Sequence, residues 1–398
     1  VKTRRKILLG VALAALFGYI VWRGAHRGND FKYPYLAARA VWTTGKLAVY
    51  SQPRYPVTIH VLFAPLARFD IGIAAAVWAA LSFVAVGALP RVFERLTGIP
   101  PRGQLLAWVA VLPSLIDALV LGQSDPINLF LVSAGLLAAQ RGRLMAGSLL
   151  VGVAGMIKIL PAIHWFTILA RRRGLGVWAG IVVALALSFG LIAAAVGWRD
   201  AVGGIREQLE WIRDHEKPWH LVDRQSDLRV NNESLPIVLA RTLGDVGAGQ
   251  PREALALGLA PLNALWITWG IILVLLATGW LAAAWRTRSS RSGRTWLGMC
   301  ALTSIIMLAA TPICWHHYFL WLLPATLFLR DRRRLLIAIT VLSLIGSALP
   351  AARGIGIHMI LALGLFALVA IDLRTLARLE RSADGELAAT AADQSGIV

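Results

Sequence analysis

Apolar residues fill this chain in runs too long and too unbroken to be one face of a soluble helix. Gly174 to Trp198 and Leu257 to Trp285 contain no charged side chain, and a helix needs about 20 apolar residues to cross a bilayer. The pattern predicts apolar segments at about 7–22, 72–90, 103–121, 126–140, 144–157, 159–170, 175–197, 258–285, 295–310, 316–329, 335–350 and 355–373. The first follows Lys2-Thr-Arg-Arg-Lys6, as the core of a signal peptide would. No small-x-small cleavage pair stands near Arg23 to Asn29, so it is read as a spanning helix. The expected architecture is an all-α polytopic membrane protein of about twelve membrane segments, with residues 1–381 forming one domain.

Two places break the regular alternation. Residues 144–170 are enough for one crossing but not for two, and a single crossing would carry Arg171-Arg-Arg173 outward. A hairpin of short helices dipping into the protein, with its tip near Gly155 to Pro161, avoids both problems, because irregular backbone at that depth survives where protein or a cavity surrounds it. In the loop 23–71, Asn29 to Trp42 reads as an amphipathic interfacial helix, followed by a turn at Tyr50 to Pro56 and a stretch, Val57 to Phe69, that Pro65 interrupts. The loop 198–257 reads as a helix over Asp200 to His215, a polar linker over Glu216 to Val230, a short helix over Asn232 to Leu243 and a Gly-rich exit over Gly244 to Gly249. The small, polar stretch 382–398 is expected to be a disordered cytoplasmic tail.

Composition agrees with the bilayer: 58% of the 398 residues are hydrophobic and 15% charged, against nearly half and a quarter in soluble domains. The net charge of +19 would suggest nucleic acid in a soluble protein. Here Lys and Arg sit mostly in short runs between apolar segments, so membrane lipids are the expected partners and nucleic acid is not. The loops 2–6, 91–102, 141–143, 171–173, 286–294, 330–334 and 374–381 hold 23 of them, whereas the alternate short loops hold only Lys158 and Arg353. The positive-inside rule then places both termini in the cytoplasm and turns the loops 23–71 and 198–257 outward. Cys300 and Cys314 form no CxxC, and on one helix they would stand about 21 Å apart, beyond disulfide reach.

On this topology Asp30, Asp117, Gln123, Asp125, Lys158, Asn231, Asn232, Glu233, His316, His317 and Arg353 collect at one membrane face. Ionisable groups beside spanning helices are costly and mark function unless they are paired. Asp30 serves as an ordinary helix N-cap or as a general base at the bilayer surface. Lys158 has no carboxylate within four residues in sequence, so a lipid phosphate is its expected counter-ion, with a snorkelling lysine as the plainer alternative. Adjacent helical residues point about 100° apart, so at most one of His316 and His317 is expected to face a given pocket, either binding a leaving phosphate or packing at the interface. Asp125, followed by Pro126, reads as a cap as readily as a ligand. Tyr33 and Tyr35 accompany Asp30, and Trp219, Trp315 and Trp321 are placed where an aromatic face could stack on a sugar. Without a third ligand in sequence, no metal site is assigned.

Several of these pieces fall in a particular order: Asp30-Phe with Tyr35-Leu-Ala-Ala-Arg39, Tyr50 and Tyr55-Pro56, Leu62-Phe-Ala-Pro65, Gly122-Gln123, Lys158-Ile-Leu-Pro161 before Arg171-Arg-Arg, Asn232-Glu-Ser234-Leu, and Thr311-Pro-Ile-Cys-Trp-His-His317. In that order they resemble the family 87 glycosyltransferases of the C-type fold, which are polyprenol-phosphate-mannose-dependent mannosyltransferases of bacterial envelope synthesis. The resemblance implies a multi-pass protein of the bacterial inner membrane with its site facing the periplasm. Its donor would be a polyprenyl-phosphate-linked sugar, most readily mannose, and its acceptor a glycolipid or glycan, with no cofactor required. It further implies that Asp30 is the catalytic base, that Lys158, His316, His317 and Arg353 meet the donor phosphate, and that Tyr33, Tyr35, Asp117, Gln123, Asp125, Asn232, Glu233 and Trp315 lie at the substrates. Asn is frequent in the family near Asp125, and Asp near His316; these departures bear on sugar and acceptor. A lipid-linked-sugar flippase, or a polysaccharide polymerase or ligase, would use a similar outward polar pocket.

Overall fold

Proline and glycine punctuate the apolar runs where helices begin and end. The computed structural model describes residues 2–26, 30–47, 55–215, 232–244, 257–290 and 292–395. Tyr50, Trp219, Asn231, the linker 216–230 and most of the Gly-rich exit lie outside the described residues. Helix α1 is Lys2–His26, α2 Lys32–Thr44, α3 Val57–Phe63, α4 Ile71–Thr97, α5 Pro101–Val120, α6 Asp125–Gln140, α7 Leu144–Ile157, α8 His164–Arg171 and α9 Leu175–Val196. The chain continues through α10 Trp198–His215, α11 Leu235–Leu243, α12 Leu262–Thr287, α13 Gly293–Ala310, α14 Leu323–Phe328, α15 Arg333–Ala348, α16 Pro350–Gly354 and α17 Ile357–Ser395. Helix α4 shows the local logic: the Asp70 carboxylate caps Gly72 N at 2.8 Å and Ile73 N at 3.0 Å. The helix stops on Gly98, at a φ of 76° that disfavours a side chain.

Six helices among the described residues are long and apolar enough to cross a membrane: Ile71–Thr97, Pro101–Val120, Leu175–Val196, Leu262–Thr287, Gly293–Ala310 and Ile357–Glu380. That is fewer than the twelve segments expected, because several apolar runs are spent on shorter elements. Residues 316–329 become a 3-10 turn, His316–Leu322, followed by the short α14. Helices α6 and α15 hold 16 residues each. The tail expected to be disordered is helical as far as Ser395; its Glu, Leu and Ala are good helix formers. Helix α13 is the axis of the bundle, buried almost throughout and touching α4, α6, α8, α12, α14 and α17, whereas α9 and α12 bury few of their apolar side chains.

The 144–170 hairpin forms. Helix α7 ends at Ile157, Lys158 is extended, and the chain reverses through a 3-10 turn, Leu160–Ile163, into α8. Its limbs are antiparallel: Gly155 faces Ala162, and the Trp165 indole donates to Ser148 O at 2.7 Å. Arg171, at the returning end, donates to the carbonyls of Thr287 and Ser290 and to Thr295 Oγ1. Other Arg-rich loops meet at the same end, where Arg294 pairs with Asp331 at 3.1 Å and Arg332 with Asp372 at 2.5 Å. Helices α6 and α7 approach closely across Gly135 and Gly147; a Cβ on Gly135 would lie 2.7 Å from Gly147 O. Gly135→Val is therefore expected to destabilise the fold by about 1–3 kcal/mol, read as a lower unfolding midpoint in lipid nanodiscs.

The described parts of the two long loops fold back over the other end. Helix α2 buries Tyr35, Ala37, Ala38 and Val41, and Pro65 divides α3 from a single 3-10 turn, Leu66–Arg68. Helix α10 clamps this layer: Gln208 accepts from Val57 N at 3.2 Å and donates to Tyr55 O at 2.5 Å. Helix α11 begins at Leu235 rather than Asn232, because the Asn232 amide oxygen is engaged by Ser234 N at 3.2 Å and Cys314 N at 3.0 Å. Buried Arg241 then fastens α11 to α16, donating to Gly354 O at 2.7 Å, Arg353 O at 3.0 Å and Asn232 O at 3.2 Å. Hydrogen bonds from a charged group are worth about 1.5–3 kcal/mol each. Arg241→Met is expected to loosen this clasp, seen as faster hydrogen exchange over residues 232–243 with exchange in α13 unchanged.

Candidate active site

Each apolar run that ends at the loop-covered face leaves a polar residue there, and the tight turn between α5 and α6 gathers the first of them. Gly122 takes a φ of 65°, and its carbonyl receives the Trp78 indole at 2.9 Å. That turn also holds Asp30, whose N–H donates to Leu121 O at 3.0 Å and whose carboxylate accepts from the Gln123 amide. Asp30 is thus not the cap of α2: Phe31 occupies the cap position and no side chain caps the helix. Buried Gln123 is itself held by the Tyr55 hydroxyl, 3.5 Å from Oε1. Burial, the largest effect, holds the Tyr55 phenol well above its usual range, so it is a neutral donor.

Asp125 is fully buried at the first turn of α6, where its carboxylate is divided between two partners. Lys158 Nζ lies 2.9 Å from Oδ2, and the Trp321 indole donates to Oδ1 at 2.8 Å. Lys158 thus has a protein counter-ion in Asp125, which is 33 residues away in sequence and adjacent in space, and which engages one face of the ammonium. The ammonium also stands 3.8 Å over the Tyr318 ring. These contacts lock the hairpin tip to α6 and to the turn after α13, and they explain why neither side chain behaves as a simple cap or a snorkelling lysine.

His316 and His317 straddle Asp117, with Nδ1 atoms at 3.5 and 3.9 Å from its Oδ2. Both rings come within 4 Å of the same α5 carboxylate even though adjacent residues of the 3-10 turn they open point about 120° apart. His317 Nε2 is 3.9 Å from Asp125 Oδ2, so the imidazole stands between two carboxylates. Its ring is 2% exposed, and among the described residues neither nitrogen has a hydrogen-bond partner. A buried imidazole in that state is poised for a ligand or a bridging water. Among the described residues no group of three or more His, Cys, Asp or Glu is placed to hold a metal ion.

Asp30, Gln123, Tyr55, Asp125, Lys158, His317, Asp117 and His316 thus line one end of the bundle in a linked series. Other expected site residues stand apart from it. Tyr33 is 66% exposed on α2. Tyr35 is buried and donates to Phe69 O at 2.9 Å, tying α2 to the end of the 3-10 turn Leu66–Arg68. Trp315 pairs with Asn232 in an isolated β-bridge and packs beside Ile237 and Ala240. Asn232 is spent on backbone groups, and buried Glu233 meets His358 Nδ1 at 2.9 Å. Arg353 lies in α16, where its carbonyl accepts from Arg241. Sequence reading passed over Tyr318, His358, Ser347 and Arg241. His358, an ionisable residue opening an apolar segment, carried the same signal as Lys158.

Fold and site together define a polytopic helical membrane protein with a buried cluster of acids, an amine and imidazoles beneath its covering loops. The sequence profile of glycosyltransferase family 87 matches residues 54–312, and the chain belongs to that family. It is 28% identical over 285 residues to a polyprenol-phosphate-mannose-dependent alpha-(1-2)-phosphatidylinositol pentamannoside mannosyltransferase of Mycolicibacterium smegmatis, covering 69% of this chain and 60% of the relative. A protein of the same description from Mycobacterium tuberculosis is 29% identical over 294 residues, covering 70% of this chain and 58% of the relative. A polyprenol-phosphate-mannose-dependent alpha-(1-2)-phosphatidylinositol mannoside mannosyltransferase of Mycobacterium tuberculosis is 28% identical over 383 residues, covering 86% of this chain and 80% of the relative. The chain spans about three fifths of the length of the first two relatives. No solved structure matches it.

Proposed function

We propose that this chain is an inverting glycosyltransferase that moves a sugar, most readily mannose, from a polyprenyl-phosphate carrier to a glycolipid or glycan acceptor on the periplasmic face of the inner membrane. The observation that carries the reading is the convergence of Asp30 with Lys158, Asp125, His316 and His317 at one end of the bundle. That end lies away from the clustered Arg-rich loops, which favours an outward-facing site by the positive-inside rule. The activities for which the relatives are named suggest the donor class, and a phosphatidylinositol mannoside as a candidate acceptor.

In this reading Asp30, oriented by Gln123, takes the proton of an acceptor hydroxyl. The acceptor oxygen bonds to the anomeric carbon as the bond from that carbon to the phosphate oxygen breaks on the opposite face, so configuration inverts and polyprenyl phosphate leaves. The growing phosphate charge would be met by His317, by His316 backed by Asp117, and by those Lys158 donors not engaged by Asp125. The exposed apolar flanks of α9 and α12 are compatible with a prenyl chain that stays in the lipid.

The test is transfer by the purified protein in nanodiscs, supplied with labelled polyprenyl-phosphate mannose or labelled nucleotide mannose and phosphatidylinositol mannoside acceptors. Label is expected to move from the lipid donor alone. Direct use of the nucleotide sugar would defeat the donor assignment.

A further inference from the structure

The buried pair Glu233–His358 plays no part in the reaction drawn above, yet its hydrogen bonds run on to His316. His358 Nδ1 lies 2.9 and 3.0 Å from the two Glu233 carboxylate oxygens, and Nε2 lies 3.2 Å from the backbone carbonyl of Ser343. A backbone carbonyl only accepts, so Nε2 carries a hydrogen toward Ser343, and a further proton is shared between Nδ1 and Glu233. The same carbonyl accepts from the Ser347 hydroxyl at 2.7 Å. Ser347 Oγ has a single proton, so both of its bonds are made together only when it donates to Ser343 O and accepts from His316 Nε2, 2.8 Å away. His316 Nε2 therefore bears the hydrogen and Nδ1 is turned to Asp117 Oδ2 at 3.5 Å. The remaining neighbours agree: Ser114 Oγ is 3.5 Å from Nε2, and the His358 ring meets the His316 ring edge-on at 4.7 Å.

We propose that Glu233, His358 and Ser347 are positioning residues, a hydrogen-bonded chain through the Ser343 carbonyl that fixes the ring and tautomer of His316. With the hydrogen on Nε2, Nδ1 facing Asp117 Oδ2 is the nitrogen left open to gain a proton when charge develops in the site. Glu233 sits beside Asn232, which is bonded to the backbone at Cys314, so the outer loop is coupled to the site through this chain. The role assigned to His316 rests on the proposed glycosyl transfer; the tautomer does not.

The test pairs spectroscopy with kinetics. In protein labelled with 15N-imidazole histidine and held in nanodiscs, the His316 and His358 resonances are assigned by their loss in His316→Gln and His358→Gln. At pH 7 His316 is expected to carry its hydrogen on Nε2 in the wild type. Ser347→Ala is expected to abolish that tautomer preference and to lower kcat about tenfold with little change in the donor KM, and Ser347→Thr to restore both. A wild-type His316 protonated on Nδ1 alone would overturn the proposal, as would Ser347→Ala that scrambles the tautomer while kcat is unmoved. If the wild type transfers no sugar, the enzymatic reading fails, while the resonances still decide the chain.

Discussion

Asp30→Asn is expected to lower the rate constant for sugar transfer by about 10²–10⁴-fold while leaving the donor KM and the unfolding temperature near their wild-type values. The substitution keeps the shape of the side chain and an oxygen for the Gln123 amide, so the turn at Gly122 is preserved and only proton acceptance is lost. Gln123→Ala should give a smaller loss, since the base survives but loses the donor that orients it. Steady-state kinetics on both variants check the pair. Equal losses would mean that Asp30 serves to hold the turn rather than to take a proton.

The second large effect is on stability. Asp125→Ala leaves the Lys158 ammonium, 7% exposed, without its carboxylate. Breaking a buried pair from one side costs about 3–5 kcal/mol, whereas replacing both partners with apolar groups of similar volume costs far less. The single variant is expected to lose most of its folded yield. Asp125→Leu combined with Lys158→Met should recover folding without recovering transfer. Thermal unfolding in nanodiscs measures the first, and the transfer assay the second. A double variant as unstable as the single one would show that the Trp321 bond to Asp125, rather than the ion pair, carries the stability.

Much of this architecture was legible in the chain because bilayer chemistry is coarse. Charge-free runs such as Leu257 to Trp285 can hardly be anything but helices, and the length of 144–170 against its flanking arginines forces a hairpin. The count of crossings was harder. Hydropathy does not separate a full span from a run that ends early at a Pro or a polar turn, and residues 316–329 split for that reason. Partnerships were harder still. Lys158 and Asp125 each looked unpaired along the sequence, because their pairing depends on the hairpin tip returning to α6. Tyr35 and Tyr33, two residues apart, looked equivalent beside Asp30. Packing against Ala74, Trp78 and Phe63 decides that the first is buried and the second exposed. His164 stacks beneath Trp321 at 5.6 Å in a segment whose apolar character hid it.

The most direct measurement is a structure of the protein in lipid with a non-transferable polyprenyl-phosphate sugar bound. The phosphate is expected between Lys158 and His317, with the anomeric carbon turned toward Asp30 and the prenyl chain leaving between helices into the bilayer. A phosphate seated instead among the arginines at the opposite end, near Arg171 and Arg294, would contradict the assignment of the site and of the membrane face on which it works.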